Sequence, residues 1–214
     1  MTRPTVPAIL LISLLAAPAF TSDCEHRREL TLAPDLAGVT RIEFDVGAQD
    51  LVLEGQAGAP SLTALACASD PAYLDQLVFE QRRDGDTLVI SARREGYSSG
   101  IFLKPTYANL RITARLPDDL AYRVHVGSGD AEIRGVASLD ARVGSGDLVA
   151  QRIAGVFSAR VGSGDIDARD IGSLDIDSIG SGDAEVFEVG GDARIGGIGS
   201  GDLDLDGVGG SVEI

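Results

Sequence analysis

The sequence contains no tryptophan, and aromatic residues make up only 5% of it. Hydrophobic residues still amount to 44%, so the chain can bury a core. That core must be built mostly from Val, Ile, Leu and Ala, which suit thin, layered β structure better than a thick globular interior. The shortage of aromatic rings also leaves little of the stacking platform expected of a sugar-processing enzyme.

Lysine is nearly absent, since Lys104 is the only one, and the 18 basic residues face 33 acidic residues. The net charge of −15 repels phosphate backbones, which excludes nucleic acid as a favoured partner. We expect an envelope protein or another surface ligand as the partner, and no bound cofactor.

Long apolar runs are missing except at the N-terminus. Residues 1–19 combine Arg3, an apolar stretch over 9–16 and the cleavage pattern Ala17-Pro18-Ala19. This arrangement is typical of a secretory signal peptide and is too short to span a bilayer. The remaining sequence offers no transmembrane segment, so we predict an exported protein of the periplasm or cell surface.

Cysteine is limited to Cys24 and Cys67. Export places both in an oxidising compartment, which favours an intramolecular disulfide that would stabilise the fold by roughly 4 kcal/mol. Two free buried thiols are the alternative, and two cysteines do not make a zinc site.

A tetrapeptide, Gly-Ser-Gly-Asp, dominates the second half of the chain. It occurs five times, with steps of 17, 18, 18 and 19 residues. Its outer residues form the predicted structural turn ladder: Gly127, Asp130, Gly144, Asp147, Gly162, Asp165, Gly180, Asp183, Gly199 and Asp202. We expect the glycines to adopt positive φ, and the Ser and Asp side chains to bond neighbouring backbone groups within each turn.

Apolar and polar residues alternate on both sides of each tetrapeptide, as in Ala131–Val136 and Tyr122–Val126. This period predicts two short half-buried strands per unit. One unit cannot bury its apolar face alone, whereas stacked units can. The predicted fold class is therefore all-β, a parallel β-solenoid with about 18 residues per coil and an N-terminal β cap or insertion.

Three regions follow from this pattern: a signal peptide at 1–19, an N-terminal region at 20–120, and the repeat solenoid at 121–214. Residues 46–55 resemble a degenerate first coil, and 56–120 are its insertion or cap. Within the cap we predict a hairpin around Asp84-Gly85, a strand over 109–116 and a short helix after Asp70. The repeat stops mid-unit at 211–214, and this open edge is a candidate for self-association.

The Gly-Ser-Gly-Asp units, each preceded by Val-Gly or Ile-Gly and followed by a short alternating strand, resemble the bacterial "putative adhesin" families of unknown function, the head-GIN and toast-rack group. The resemblance covers residues from about 40 to the end and is most specific at 121–214. It implies an exported, surface-facing β-solenoid. The family motif carries no catalytic residues.

The column of motif aspartates has two interpretations. Neighbouring carboxylates about 4.8 Å apart repel each other by about 1 kcal/mol in water, so something must offset that cost. Either each Asp caps its own turn, or the column binds calcium as an acidic β-roll does. The turn interpretation fits better, because the Asp follows the second Gly directly and only every second half-unit carries the motif.

Catalysis is disfavoured. The acids repeat as equivalents, whereas a catalytic pair should differ from its neighbours, so a carbohydrate-active β-helix enzyme is only an alternative. Five identical motif serines with only His26 and His125 as bases indicate turn chemistry. His125, Arg142 and Arg160 form a predicted basic stripe, and residues 97–102 an apolar-polar loop. We predict a non-catalytic structural, adhesin-like or protein-interaction module.

Overall fold

The computed structural model describes residues 24–96 and 106–214. The predicted signal peptide and the loop at 97–102 lie outside the described residues. The described part is all-β, as predicted. None of its helical residues forms a segment long and apolar enough to cross a membrane.

The described residues form sixteen strands and a short helix. In chain order they are β1 (His26–Leu32), β2 (Arg41–Gly47), β3 (Asp50–Gly55), β4 (Ser61–Ala68), α1 (Pro71–Leu74), β5 (Leu77–Asp84), β6 (Thr87–Arg94), β7 (Ala108–Leu116), β8 (Ala121–Val126), β9 (Ala131–Val136), β10 (Ser138–Val143), β11 (Leu148–Val161), β12 (Ile166–Ile179), β13 (Ala184–Val189), β14 (Ala193–Ile198), β15 (Leu203–Val208) and β16 (Val212–Glu213).

The strands pair in two parallel series, which we call wall A and wall B. Wall A holds the strands before each motif, in the order β2, β8, β10, the second halves of β11 and β12, β14 and β16. Wall B holds the strands after each motif, in the order β3, β9, the first halves of β11 and β12, β13 and β15. The long strands β11 and β12 take part in both walls.

The apolar side chains that the alternation predicts to point inward are buried. In wall A, Val124, Ala141, Ala159 and Ile176 are register partners on four successive strands, and each is at most 3% exposed. The inward residues of both walls merge into a single hydrophobic cluster. Each coil therefore stabilises its neighbours by covering their apolar side chains.

The motif glycines are explained by close approach, and the expectation of positive φ was wrong. None of the ten has a φ in the left-handed region. Instead, a Cβ added at any of them would lie closer than 3.0 Å to a backbone oxygen of the preceding corner. The second glycine is buried between stacked corners in the first four motifs, as at Gly164, and half-buried in the last, at Gly201. Only a residue without a side chain lets the corner backbones stack this closely.

At the N-terminal end each wall continues with one more parallel strand, followed by antiparallel strands. β6 joins wall A beside β2 and carries β5 as a hairpin, while β7 joins wall B beside β3 and carries β4 and β1. The predicted hairpin, strand and helix are all present, with Asp70 accepting a hydrogen bond from the Ala72 N–H at the start of α1. β1 and β5, the two ends of the strand order, contact each other, so the sheet nearly closes here.

Gln49 occupies the first corner at the position where later corners have their second glycine. The Gly129 backbone stacks against the Gln49 backbone from one side. On the other side, the buried Gln49 side chain accepts a hydrogen bond from the Leu110 N–H of β7. Gln49 therefore ends the column of stacked corners without leaving a backbone donor unpaired.

The predicted disulfide is confirmed. Cys24 and Cys67 are bonded, with their Cα atoms 5.6 Å apart. Cys67 lies on β4 opposite Arg27 of β1. The bond therefore fixes β1, the outermost strand of wall B, to β4. Among the described residues, no strand pairs with the other edge of β1.

A glycine substitution tests the close approach. Gly164→Ala is expected to lower the free energy of unfolding by about 3 kcal/mol, because its Cβ would collide with the Gly146 backbone. Gly197→Ala is the matched control, since nothing lies within 4 Å of its added Cβ and its φ is not positive. It should be neutral or slightly stabilising in urea denaturation. Equal losses for the two variants would contradict the stacking explanation.

Candidate functional site

The motif aspartates line one corner of the fold, in register from coil to coil. The carboxylates of the first four, Asp130, Asp147, Asp165 and Asp183, each accept a hydrogen bond from the backbone N–H of the equivalent Asp in the next repeat unit, not from their own turn as we expected. The N···O distances run from 3.1 Å at Asp130 to 2.8 Å at Asp183. Asp50 of the first corner makes a longer contact of 3.4 Å with Asp130. The column thus bonds each coil to the next.

This arrangement offsets the repulsion between stacked carboxylates. One oxygen of each bonded Asp faces a backbone donor, and the side chains remain exposed to water, which screens the charges. Two further acids, Asp167 and Glu185, are register partners on the neighbouring strands β12 and β13 and extend the acidic surface onto wall B. Within residues 24–96 and 106–214, no group of three or more His, Cys, Asp or Glu is placed to hold a metal ion.

Asp192 makes an equivalent bond at the opposite corner, which sequence analysis did not single out. Its Oδ1 accepts from both the backbone N–H and the hydroxyl of Ser211, at 2.8 and 2.9 Å. These two hydrogen bonds lower the pKa of Asp192. The sequence did contain an indication of this bond: Gly191-Asp192 and Gly210-Ser211 are two similar dipeptides that lie one repeat unit apart.

Left-handed backbone at this second corner was also missed. Gly135, Arg152, Asp170, Glu188 and Gly207 all have φ between 53° and 75°. They lie at equivalent positions that the parallel pairing of wall B skips on each partner strand, without a shift in register. The three non-glycine members carry a conformational cost of about 1–2 kcal/mol each. The glycines at two of the five equivalent positions were the only indication of this left-handed conformation in the sequence.

The predicted basic stripe is present on the outer face of wall A. His125, Arg142 and Arg160 are register partners on β8, β10 and β11. Asp45 precedes them in the column and Ser178 follows. Arg160 pairs with Asp177, at 2.7 Å from its Nε, whereas Arg142 forms no ion pair or hydrogen bond with any described residue. The stripe therefore contains an uncompensated positive charge.

The outer face of wall A carries mixed charges along its central column. Arg123 donates to Asp140 at 2.8 Å and lies 3.9 Å from Glu43. The matching column of wall B ends in Asp167, Glu185 and Asp204 without an intervening cation. The two outer faces thus differ in charge, with the acidic one next to the Asp column.

The motif serines do not form a nucleophilic centre in the described residues. All five are exposed, and their backbone N–H groups from Ser145 onward bond the first glycine carbonyl of the preceding corner. Neither His26 nor His125 donates to or accepts from a motif serine in the hydrogen bonds of the described residues. The imidazole Nε2 of His125 is buried and has no partner there.

No family model matches the chain, and no curated protein matches it. The solved structures that the chain matches include a "putative cell adhesion protein" of Clostridium sporogenes, 11% identical, covering 88% of this chain and 99% of its own, with a TM-score of 0.45. A "putative lipid binding protein" of Parabacteroides distasonis is 18% identical over 88% and 96%, with a TM-score of 0.37. A "putative adhesin" of Bacteroides fragilis is 15% identical over 89% and 98%, also at 0.37. Similarity at this level assigns no function to the chain.

Two substitutions at Asp165 separate the hydrogen-bonding role of the Asp column from a calcium role. Asp165→Asn keeps an acceptor for the Asp183 N–H and removes one repelling charge, so the free energy of unfolding should stay the same or rise. Asp165→Ala removes the acceptor and should lower it by about 1 kcal/mol. Urea denaturation with and without calcium measures both. A calcium-dependent stability that Asp165→Asn abolishes would contradict the hydrogen-bonding role.

A pH dependence is expected at Asp192. Its pKa is lowered in the folded chain, so its contribution to stability is present above the unfolded pKa and is lost as pH falls through the folded pKa. The stability difference between wild type and Asp192→Ala should therefore shrink in acid. Denaturation at neutral pH and below the pKa of a free Asp measures it. Asp204→Ala, at an exposed acid with no hydrogen bond or ion pair among the described residues, is the control and should not show this pattern.

Proposed function

We propose that the chain is an exported, non-catalytic β-solenoid that acts as an adhesin-like binding module of the bacterial cell envelope. In this proposal residues 1–19 are a signal peptide, 20–120 contain the first coil and its cap, and 121–214 form the Gly-Ser-Gly-Asp stack. The motif Gly and Asp residues are the structural ladder that holds the coils in register.

The observation that carries the proposal is the register of equivalent residues. Parallel strands 17–19 residues apart in sequence pair so that Asp bonds to Asp and glycine stacks on glycine. A chain paired in this way is rigid and presents the same side-chain position once per coil, about 4.8 Å apart. Extended columns of this kind suit recognition of a large or repetitive partner better than the enclosure of a small substrate.

The surroundings of the acidic residues support a role without catalysis. Asp147, Asp165 and Asp183 all accept the same kind of hydrogen bond in the same exposed setting. Catalytic acids and bases are normally set apart by burial or by a special charge partner. Among the described residues, the acids of the column are interchangeable, which favours a structural role for each.

The disulfide supports export. Cys24 and Cys67 are bonded, and such bonds persist in oxidising compartments. The bond also clamps β1, whose exposed outer edge carries His26, Arg27, Arg28 and Glu29. Charged side chains on an edge strand hinder uncontrolled pairing with other chains, as an extracellular protein requires.

The proposal is tested with the full chain expressed in a bacterium. We expect the protein in the periplasm or on the cell surface, with residues 1–19 removed and the disulfide closed, as measured by intact mass before and after reduction. The purified mature protein should then co-sediment with envelope fractions and leave a panel of polysaccharides uncleaved.

Three results would contradict parts of this proposal. Retention of residues 1–19 in a cytoplasmic protein would contradict export. Turnover of a polysaccharide that is abolished by replacing a single acid would identify an enzyme instead. Sedimentation equal to that of a heat-unfolded, reduced sample would show that envelope binding does not depend on the fold.

A further inference from the structure

We propose that the groove along His125, Arg142 and Arg160 on wall A binds a linear acidic polysaccharide through its carboxylates. This rests on the proposed function as a surface-binding module and names its ligand class. The groove has a volume of about 470 Å³ and crosses three successive coils. It differs from the acidic corner in the sign of its charge.

The charge of the groove is the first argument. Its described lining includes three basic side chains and no carboxylate, in a chain whose acids outnumber its Lys and Arg residues by 33 to 18. Arg142 and Arg160 also border an adjacent depression that contains Asp140, Asp175 and Asp177, of which Asp140 accepts from Arg123 and Asp177 accepts from Arg160. A ligand carboxylate would supply the counter-charge that Arg142 lacks.

Unused hydrogen-bonding capacity is the second argument. Arg142 is exposed and has no hydrogen bond to a described residue, so its planar guanidinium can bind a carboxylate bidentately. The buried Nε2 of His125 has no partner in the described residues either. Of these two groups, the exposed guanidinium of Arg142 is the one that a ligand in this groove can reach.

The backbone argues against a peptide as the occupant. β10 pairs with β8 on one side and with β11 on the other, so its backbone groups are used within wall A. A peptide strand recognises a sheet through a free edge, and the groove offers none. Recognition falls to side chains that repeat once per coil, which matches a polymer whose acidic group also repeats.

The groove floor is open and lacks aromatic rings. Gly127, Gly144 and Gly162 contribute no side chains, and the backbone around Val126, Val143 and Val161 forms the rest. An open floor lets a sugar ring approach the basic side chains closely. Without an aromatic platform a neutral sugar gains little, so the carboxylate carries the specificity. The overall charge of −15 is screened within about 8 Å at physiological salt.

Binding of polygalacturonate to the mature, disulfide-bonded protein tests the proposal, measured by calorimetry at physiological salt. Arg142→Ala is expected to weaken binding about tenfold, the usual effect of losing a charge-assisted hydrogen bond. Arg115→Ala is the control, because it makes the same charge change on β7 of wall B, outside the groove. Unchanged thermal melting confirms that both variants are folded.

Each outcome decides the proposal. Selective loss in Arg142→Ala, with no binding of neutral dextran, supports it. Equal weakening by both variants, or absence of polygalacturonate binding, overturns it. Competition by poly-glutamate at equal charge would assign the groove to acidic peptides and overturn the proposal. Competition by sulfate, phosphate or free galacturonate at equal charge would assign it to small anions and also overturn the proposal. If Arg142→Ala binds polygalacturonate as wild type does and still sediments with envelopes, the envelope-binding function stands and the groove proposal is wrong.

Discussion

The close contact between stacked corner backbones is the constraint on which this structure depends. At every Gly-Ser-Gly-Asp corner, a glycine without a Cβ lies directly against the carbonyl of the corner before it. That contact brings the next serine N–H within 2.7 Å of the glycine carbonyl at Ser145 and Ser163. Because the corners cannot shift without breaking these contacts, the strands that follow them are locked in one register.

The register of the strands in turn determines which charged side chains lie next to one another. The register places the motif aspartates one above another along one corner. Backbone N–H donors to the carboxylates, as at Asp147 and Asp165, and the surrounding water offset the repulsion between these negative charges. The same register places Arg142, Arg160 and His125 side by side on the outer face of wall A. In a chain with a net charge of −15, this column therefore contains Arg142, whose positive charge has no ion-pair partner among the described residues.

Several local elements could be predicted because short-range chemistry decides them. Asp70 before Pro71 predicted the helix, Asp84-Gly85 the hairpin, and the alternation in Ala131–Val136 a half-buried strand. The left-handed backbone at Arg152 and Asp170 could not be predicted from those residue types, which normally avoid positive φ. The equivalent residues of successive repeat units share that conformation at positions that the pairing skips, so only the paired arrangement reveals it.

By itself, the sequence determined the all-β class and the alternation that buries one face of each strand, because residue spacing and composition suffice for these, and it favoured the Cys24–Cys67 disulfide over two free thiols. Only the tertiary structure decided why the motif glycines are glycines and where the Asp carboxylates bond. Both answers depend on atoms of the preceding or following coil, 17 to 19 residues away. A local pattern can indicate that a turn exists, but it cannot show which backbone lies beneath it.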